Sequence, residues 1–169
     1  QAVQKSVFSR TEAAHYLTGV NLKYESNYPK ALVYSTWLHE KYPNNLLYTM
    51  RHAETLVANG KYDDAMLLCQ KLKKTNENEY LLAGNLFEGQ IAEKAKKNDK
   101  QAYDLYNIVL KMQPSDRYTN DYYALAYAGL ARIAHRAGNG KRAAYLYSKC
   151  LDYAEYKSTI TEAKKYLEK

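Results

Sequence analysis

Ser26-Asn27-Tyr28-Pro29-Lys30-Ala31 opens an apolar, helix-period segment that ends at Lys41-Tyr42-Pro43-Asn44-Asn45. The same order of turn, alanine and helix returns three times. Asn59-Gly60-Lys61-Tyr62-Asp63-Asp64-Ala65 precedes residues 66–72, Lys97-Asn98-Asp99-Lys100-Gln101-Ala102 precedes residues 103–112 with Pro114 beyond, and Gly138-Asn139-Gly140-Lys141-Arg142-Ala143 precedes residues 144–153. The alanines Ala31, Ala65, Ala102 and Ala143 lie 34, 37 and 41 residues apart. A unit of 34 residues with short insertions falls in the range of about 20–50 residues that marks repeat architectures.

Each turn also follows a helix-period segment of its own, at residues 11–24, 46–58, 80–96 and 121–137. Polar residues and glycine, rather than the alternation of a strand, interrupt the pattern, so the unit is a helical hairpin. Gly60 and Gly138 sit just past a helix, where a left-handed residue satisfies the last carbonyls, and Asn27 and Asn98 are expected to take that role in the other two turns. After the fourth unit, Ser158-Thr159-Ile160-Thr161-Glu162 predicts a helix start leading to Ala163, Tyr166 and Leu167 on one face, a C-terminal capping helix over about 158–168. Residues 1–9, with Val3, Val7 and Phe8, read either as an extension of the first helix or as the tail of a preceding repeat. The chain opens on Gln1 rather than Met, so removal of a leader or of a larger N-terminal region is expected, and the compartment stays open.

Composition agrees with this reading. Of 169 residues 46% are hydrophobic and 25% charged, with 7 Gly, 3 Pro and 2 Cys, which excludes a collagen, a disordered chain and a cysteine scaffold. No stretch approaches the ~20 apolar residues of a membrane span. The net charge of +7 favours acidic partners, but basic residues are interspersed with acids, and the nearest thing to a run is Lys94, Lys96, Lys97 and Lys100. Tyrosine is abundant, 19 residues against 2 Phe and 1 Trp, and does the packing that phenylalanine usually does.

These residues resemble the tetratricopeptide repeat, a 34-residue helical hairpin with a small residue in its first helix, alanine in its second and proline near its end. The match covers about residues 12–157. It rests on Gly19, Tyr28, Ala31 and Pro43; on Ala53, Leu56, Gly60, Tyr62, Ala65 and Leu72; on Leu86, Ala102, Tyr106 and Pro114; and on Tyr127, Leu130, Ala131, Ala134, Gly138, Ala143 and Tyr147. The third unit departs from the pattern, with Gln90 where a small residue is expected. The resemblance implies an all-α, right-handed superhelical solenoid of antiparallel hairpins forming a single array, with units at about 12–45, 46–79, 83–116 and 124–157. Small residues Gly19, Ala53 and Ala131 are expected to face Ala31, Ala65 and Ala143 and let the helix axes approach closely, while Leu38, Leu72, Val109 and Cys150 fill the seam to the next unit.

Catalytic signatures are missing. Cys69 and Cys150 fall on apolar faces two units apart, too far for a disulfide. His15, His39, His52 and His135 lie on different helices without metal-ligand spacing. Gly138-Asn139-Gly140-Lys141 lacks the spacing of a phosphate loop and follows a helix instead of a strand. No cofactor or metal is implied.

In tetratricopeptide arrays the first helices line a concave groove that holds a peptide or a partner's segment. The corresponding positions here are Tyr16, Val20, Lys23 and Tyr24; Met50, Arg51, Glu54 and Val57; Phe87, Ile91 and Lys94; and Arg132, His135 and Arg136. Tyr16, Met50 and Phe87 serve equally well as intramolecular packing. Tyr16, Val20 and Arg51 stand where chaperone-binding arrays place Lys and Asn, so a clamp for a chaperone's C-terminus is not expected. The expected function is therefore a non-catalytic protein-interaction scaffold of unidentified partner, monomeric, with Tyr153, Tyr156 and Tyr166 capping its end rather than pairing two copies. The alternatives are a basic module binding RNA or another acidic polymer through Arg132, Arg136, Lys141 and Arg142, and an extracytoplasmic module presenting tyrosine faces to a glycan or peptide.

Overall fold

The computed structural model describes residues 2–112 and 120–168, with side chains from Ser9 onward; Pro114 and the side chains of Val3, Val7 and Phe8 lie outside the described residues. The fold is all-helical. Among the described residues there are nine helices and no strand: α1 (Ala2–Lys23), α2 (Tyr28–Lys41), α3 (Leu46–Ala58), α4 (Tyr62–Lys73), α5 (Asn78–Lys94), α6 (Asp99–Lys111), α7 (Asn120–Arg136), α8 (Gly140–Leu151) and α9 (Lys157–Leu167).

Asparagine starts four of them. The side chains of Asn27, Asn45, Asn98 and Asn139 accept from the backbone N–H of Lys30, Tyr48, Gln101 and Arg142, satisfying a donor that has no partner within the helix. This corrects the expectation for Asn27 and Asn98. Both have negative φ, and the left-handed residue is the one before each, Ser26 and Lys97, at φ 52°. The α1–α2 and α5–α6 turns are one residue longer than those at Gly60 and Gly138, so the Asn27 and Asn98 N–H groups reach back six residues, to the Asn21 and Ala92 carbonyls. In the shorter turns Gly60 and Gly138 adopt φ 72° and 76°, and the following residue bonds to the carbonyl five back.

Every helix packs on its chain neighbours, and the first helices of the hairpins also pack on one another, α3 on α5, α5 on α7 and, more lightly, α1 on α3, while α7 also meets the last helix α9. Ala31, Ala65, Ala102 and Ala143 are all completely buried, as are Leu38, Leu72, Val109 and Cys150. The close approach of α5 to α4 and to α6 comes from glycines off the expected position. A Cβ on Gly84 would stand 2.7 Å from Lys73 Cγ and 3.1 Å from the Cys69 carbonyl oxygen, and one on Gly89 would stand 3.0 Å from the Tyr106 ring. Gly19, in contrast, has nothing within 4 Å of where its Cβ would be, so it does not serve the close contact expected of it. Glycine inside a helix costs about 0.5–1 kcal/mol relative to alanine. Gly19→Ala is therefore expected to raise stability by about that amount in urea denaturation, and a loss would show that the glycine is needed.

Between α2 and α3 the His39 and His52 rings stack with centroids 5.0 Å apart, and His52 Nδ1 lies 3.1 Å from Ser35 Oγ. Burial, then the neighbouring His39, push His52 down to about 4, and burial lowers His15 and His39 as well. The folded state holds these rings neutral while the unfolded chain protonates them near pH 6.5. Their contribution is complete above pH 6.5 and is lost as the pH falls toward 4. Asp121, pushed up by burial to about 6 despite Lys23, acts in the opposite sense between about pH 4 and 6. His52→Gln is expected to flatten the acid loss between pH 6.5 and 4 by about 1–2 kcal/mol, the shift being discounted for the ring's partial solvent access. Thermal melts across that range check it, and an unchanged profile would remove His52 from the acid response.

Candidate functional site

The helices α1, α3, α5 and α7 and the start of α9 contribute the walls of one cleft of about 230 Å³. Its lining is mixed: Leu22, Val57, Ala58 and Leu125 are apolar, and Glu54, Gln90, Lys94, Arg132, Tyr156, Thr159 and Glu162 are polar.

The charges of this region are organised by three carboxylates, each taking an arginine and a tyrosine. Glu54 Oε2 accepts from Arg51 Nη1 at 2.8 Å and from the Tyr122 hydroxyl at 3.0 Å, and its Oε1 accepts from the Tyr156 hydroxyl. Glu93 accepts from the Tyr106 hydroxyl at 2.7 Å, from Arg132 Nε and Nη2 at 2.8 Å each, and from Arg136 at 3.2 Å. Glu162 takes Arg132 Nη1 at 3.0 and 3.1 Å and the Tyr147 hydroxyl at 2.8 Å. Burial raises the pKa of Glu93, but the Arg132 hydrogen bonds and charge and the Tyr106 hydroxyl outweigh it and hold the carboxyl below its ordinary value. A buried charge is tolerated only with such partners.

Two further contacts join distant parts of the chain. Lys23 Nζ, at the end of α1, is 2.5 Å from Asp121 Oδ2 at the start of α7 and 3.1 Å from Glu155. Burial lowers the Lys23 pKa, and Asp121 reverses the sign, so the net shift is upward. Asp121 Oδ1 has no hydrogen-bond partner among the described residues.

The expected groove residues divide sharply. Tyr16 is 71% and Tyr24 55% exposed, Val20 is half-buried, and His135 and Arg136 are exposed. Met50, Phe87 and Ile91 are buried, which corrects their reading as outward-facing: adjacent first helices pack on each other, and Tyr122 of α7 lies edge-on to Phe87 at 5.5 Å; Val57 is also buried but lines the cleft. Arg51 and Glu54 are likewise buried and pair with each other, and Glu54 also lines the cleft. Arg132 stands in the cleft wall with every guanidinium nitrogen on Glu93 or Glu162, and Arg136 also holds Asp99 at 2.7 and 2.9 Å. The His135 ring meets Tyr166 edge-on at 5.2 Å.

Gln90, Tyr156, Thr159 and Glu162 were not among the expected groove residues, yet all line the cleft. Only Gln90 was signalled, as the break in the small-residue pattern. Beside the cleft, a shallower bowl is lined by Glu93, Lys94, Lys97, Asp99, Arg132 and Arg136. Lys94 and Arg132 belong to both.

Cys69 and Cys150 are free and buried, and burial pushes their thiols up to about 12, so neither is a thiolate at neutral pH. Among the described residues no group of three or more His, Cys, Asp or Glu side chains is placed to hold a metal ion, and no helix is long and apolar enough to cross a membrane. No protein-family model matches the chain, nor does any curated protein or solved structure, so the functional reading rests on the chemistry of the cleft and its rim.

Proposed function

We propose that the chain is a tetratricopeptide-like array, a right-handed superhelix of four hairpins closed by α9, and that it acts as a non-catalytic protein-interaction module. The partner segment lies against the face where α1, α3, α5 and α7 meet. The observation that carries this reading is that all four first helices contribute to one cleft with apolar walls and polar groups already held in place, the composition typical of recognition sites. The four buried alanines at equivalent places in the second helices support the repeat reading. The acidic-polymer alternative loses support from Arg132 and Arg136, whose charges are answered by Glu93, Glu162 and Asp99.

Since Met50, Phe87 and Ile91 belong to the core, the surface offered to a partner is the cleft rim together with exposed Tyr16 of α1 and Tyr24 just past its end. Tyr16→Ala/Tyr24→Ala/Lys94→Ala removes three exposed side chains from this surface, and Val33→Ala/Leu67→Ala removes two exposed ones from α2 and α4. Capture from native lysate is expected to lose its specific protein with the first variant and keep it with the second, both variants being folded by circular dichroism. Loss with the second variant and retention with the first would contradict the reading.

A further inference from the structure

Gly138-Asn139-Gly140-Lys141 is no phosphate loop, but it carries a reactive pair. The tripeptide Asn-Gly-Lys occurs twice, at Asn59-Gly60-Lys61 and at Asn139-Gly140-Lys141, each time in the turn between the two helices of a hairpin. In an Asn-Gly pair the glycine's backbone nitrogen can attack the asparagine side-chain carbonyl carbon, because glycine has no β-carbon to keep the two apart. The residues that follow each asparagine are the same, so a difference between the two copies comes from the fold.

At Asn59 the fold closes this route. Its Nδ2 donates to the Tyr28 and Thr55 carbonyls at 2.8 and 2.7 Å, and the Gly60 N–H, whose nitrogen would be the nucleophile, donates to the Val57 carbonyl at 3.1 Å. All three bonds must break for the reaction to run, and each adds to the barrier. Asn139 is exposed. Neither its Nδ2 nor the Gly140 N–H has a hydrogen-bond partner among the described residues, since Gly140 opens α8, where the first N–H groups have none within the helix. The Asn139 side chain is held only through Oδ1, which accepts from the Arg142 N–H at 3.0 Å. That donor sits on the oxygen where negative charge grows during the attack, so it favours the step.

We infer that Asn139 is a site of spontaneous deamidation in the folded chain, and that Asn59 is protected from the same reaction. The Gly140 nitrogen gives up its proton to base and bonds to Cγ of Asn139, the Cγ–Nδ2 bond breaks, and Nδ2 leaves as ammonia after taking a proton from solvent. Water then opens the cyclic imide, at Cγ to give aspartate or at the main-chain carbonyl carbon to give isoaspartate. The sum is asparagine and water to acid and ammonia, with nothing oxidised or reduced. Aspartate keeps the cap of α8 and adds a negative charge to a helix start whose first turn holds no acid. Isoaspartate lengthens the main chain by one carbon and displaces the Asn139 carbonyl, which accepts from the N–H of buried Ala143 at 3.0 Å.

The test incubates the intact chain at mildly alkaline pH, native and in urea, and follows each asparagine by peptide mapping with mass spectrometry. In urea the two are expected to convert at equal rates. In the native chain Asn139 is expected to keep most of that rate and Asn59 to convert at least tenfold more slowly. Gly140→Ala adds a β-carbon whose nearest neighbour is the Tyr166 hydroxyl at 3.8 Å, and is expected to slow conversion of Asn139 at least tenfold while circular dichroism shows an unchanged fold. Native Asn139 converting as slowly as native Asn59, native Asn59 converting as fast as Asn139, or a Gly140→Ala chain converting at the original rate would each overturn the inference.

Discussion

Replacing Glu54 by alanine is expected to destabilise the fold by about 3–5 kcal/mol, the cost of leaving a buried arginine without its counter-charge. Glu54 is 5% exposed and Arg51 6%, so solvent cannot take over the lost role. The Tyr122 and Tyr156 hydroxyls lose their acceptor in the same step. Because the loss comes from the orphaned partner, removing both charges costs less than removing one. Arg51→Met/Glu54→Leu is expected to be more stable than either Glu54→Ala or Arg51→Ala in guanidinium denaturation. Additive losses in the double variant would show that the pair itself, rather than its compensation, stabilises the fold.

The second large effect is steric. The Tyr106 ring lies on the backbone of Gly129 in α7, where an added Cβ would fall 2.2 Å from Cε2 and 2.4 Å from Cζ. The ring cannot retreat, because Gly89 of α5 bounds its other edge and its hydroxyl is held by Glu93. Gly129→Ala is expected to cost about 3 kcal/mol, at or above the upper end of ordinary overpacking, and this outweighs the ~1 kcal/mol of helix propensity that alanine adds. Adding Tyr106→Leu to Gly129→Ala is expected to restore part of the loss. A Gly129→Ala chain as stable as the original would mean that α6 and α7 do not approach as described.

The helices and their turns were legible because they depend on local order: glycine past a helix end, asparagine before a helix start, alanine at a recurring place. Even there the left-handed residue shifted by one, from Asn27 to Ser26 and from Asn98 to Lys97, because a turn one residue longer frees the asparagine to cap the next helix. The groove was less legible. Of the expected positions, Glu54, Val57, Lys94 and Arg132 line the cleft, while Met50, Phe87 and Ile91 are buried in the core and Tyr16 and Tyr24 are exposed outside it, because which positions stay open depends on how closely successive hairpins approach. Contacts such as Tyr122 with Glu54 and Tyr156 with Glu54, 68 and 102 residues apart, carry no periodic signature. The tyrosines show the same limit. Their abundance announced aromatic packing, and the fold adds that Tyr106, Tyr122, Tyr147 and Tyr156 each place a hydroxyl on a glutamate, a requirement phenylalanine would not meet. Gln90 was legible as a departure from pattern, and only the fold places it in the lining of the cleft.

Amide hydrogen exchange on the chain with its captured partner bound tests the central claim most directly, since it reports which backbone is covered without altering a residue. Added protection is expected at the end of α1, at the ends of α3 and α5 around Glu54 and Gln90, and at the start of α9. Protection confined to the exposed faces of α2, α4 and α6, with the cleft helices exchanging as in the free chain, would contradict it.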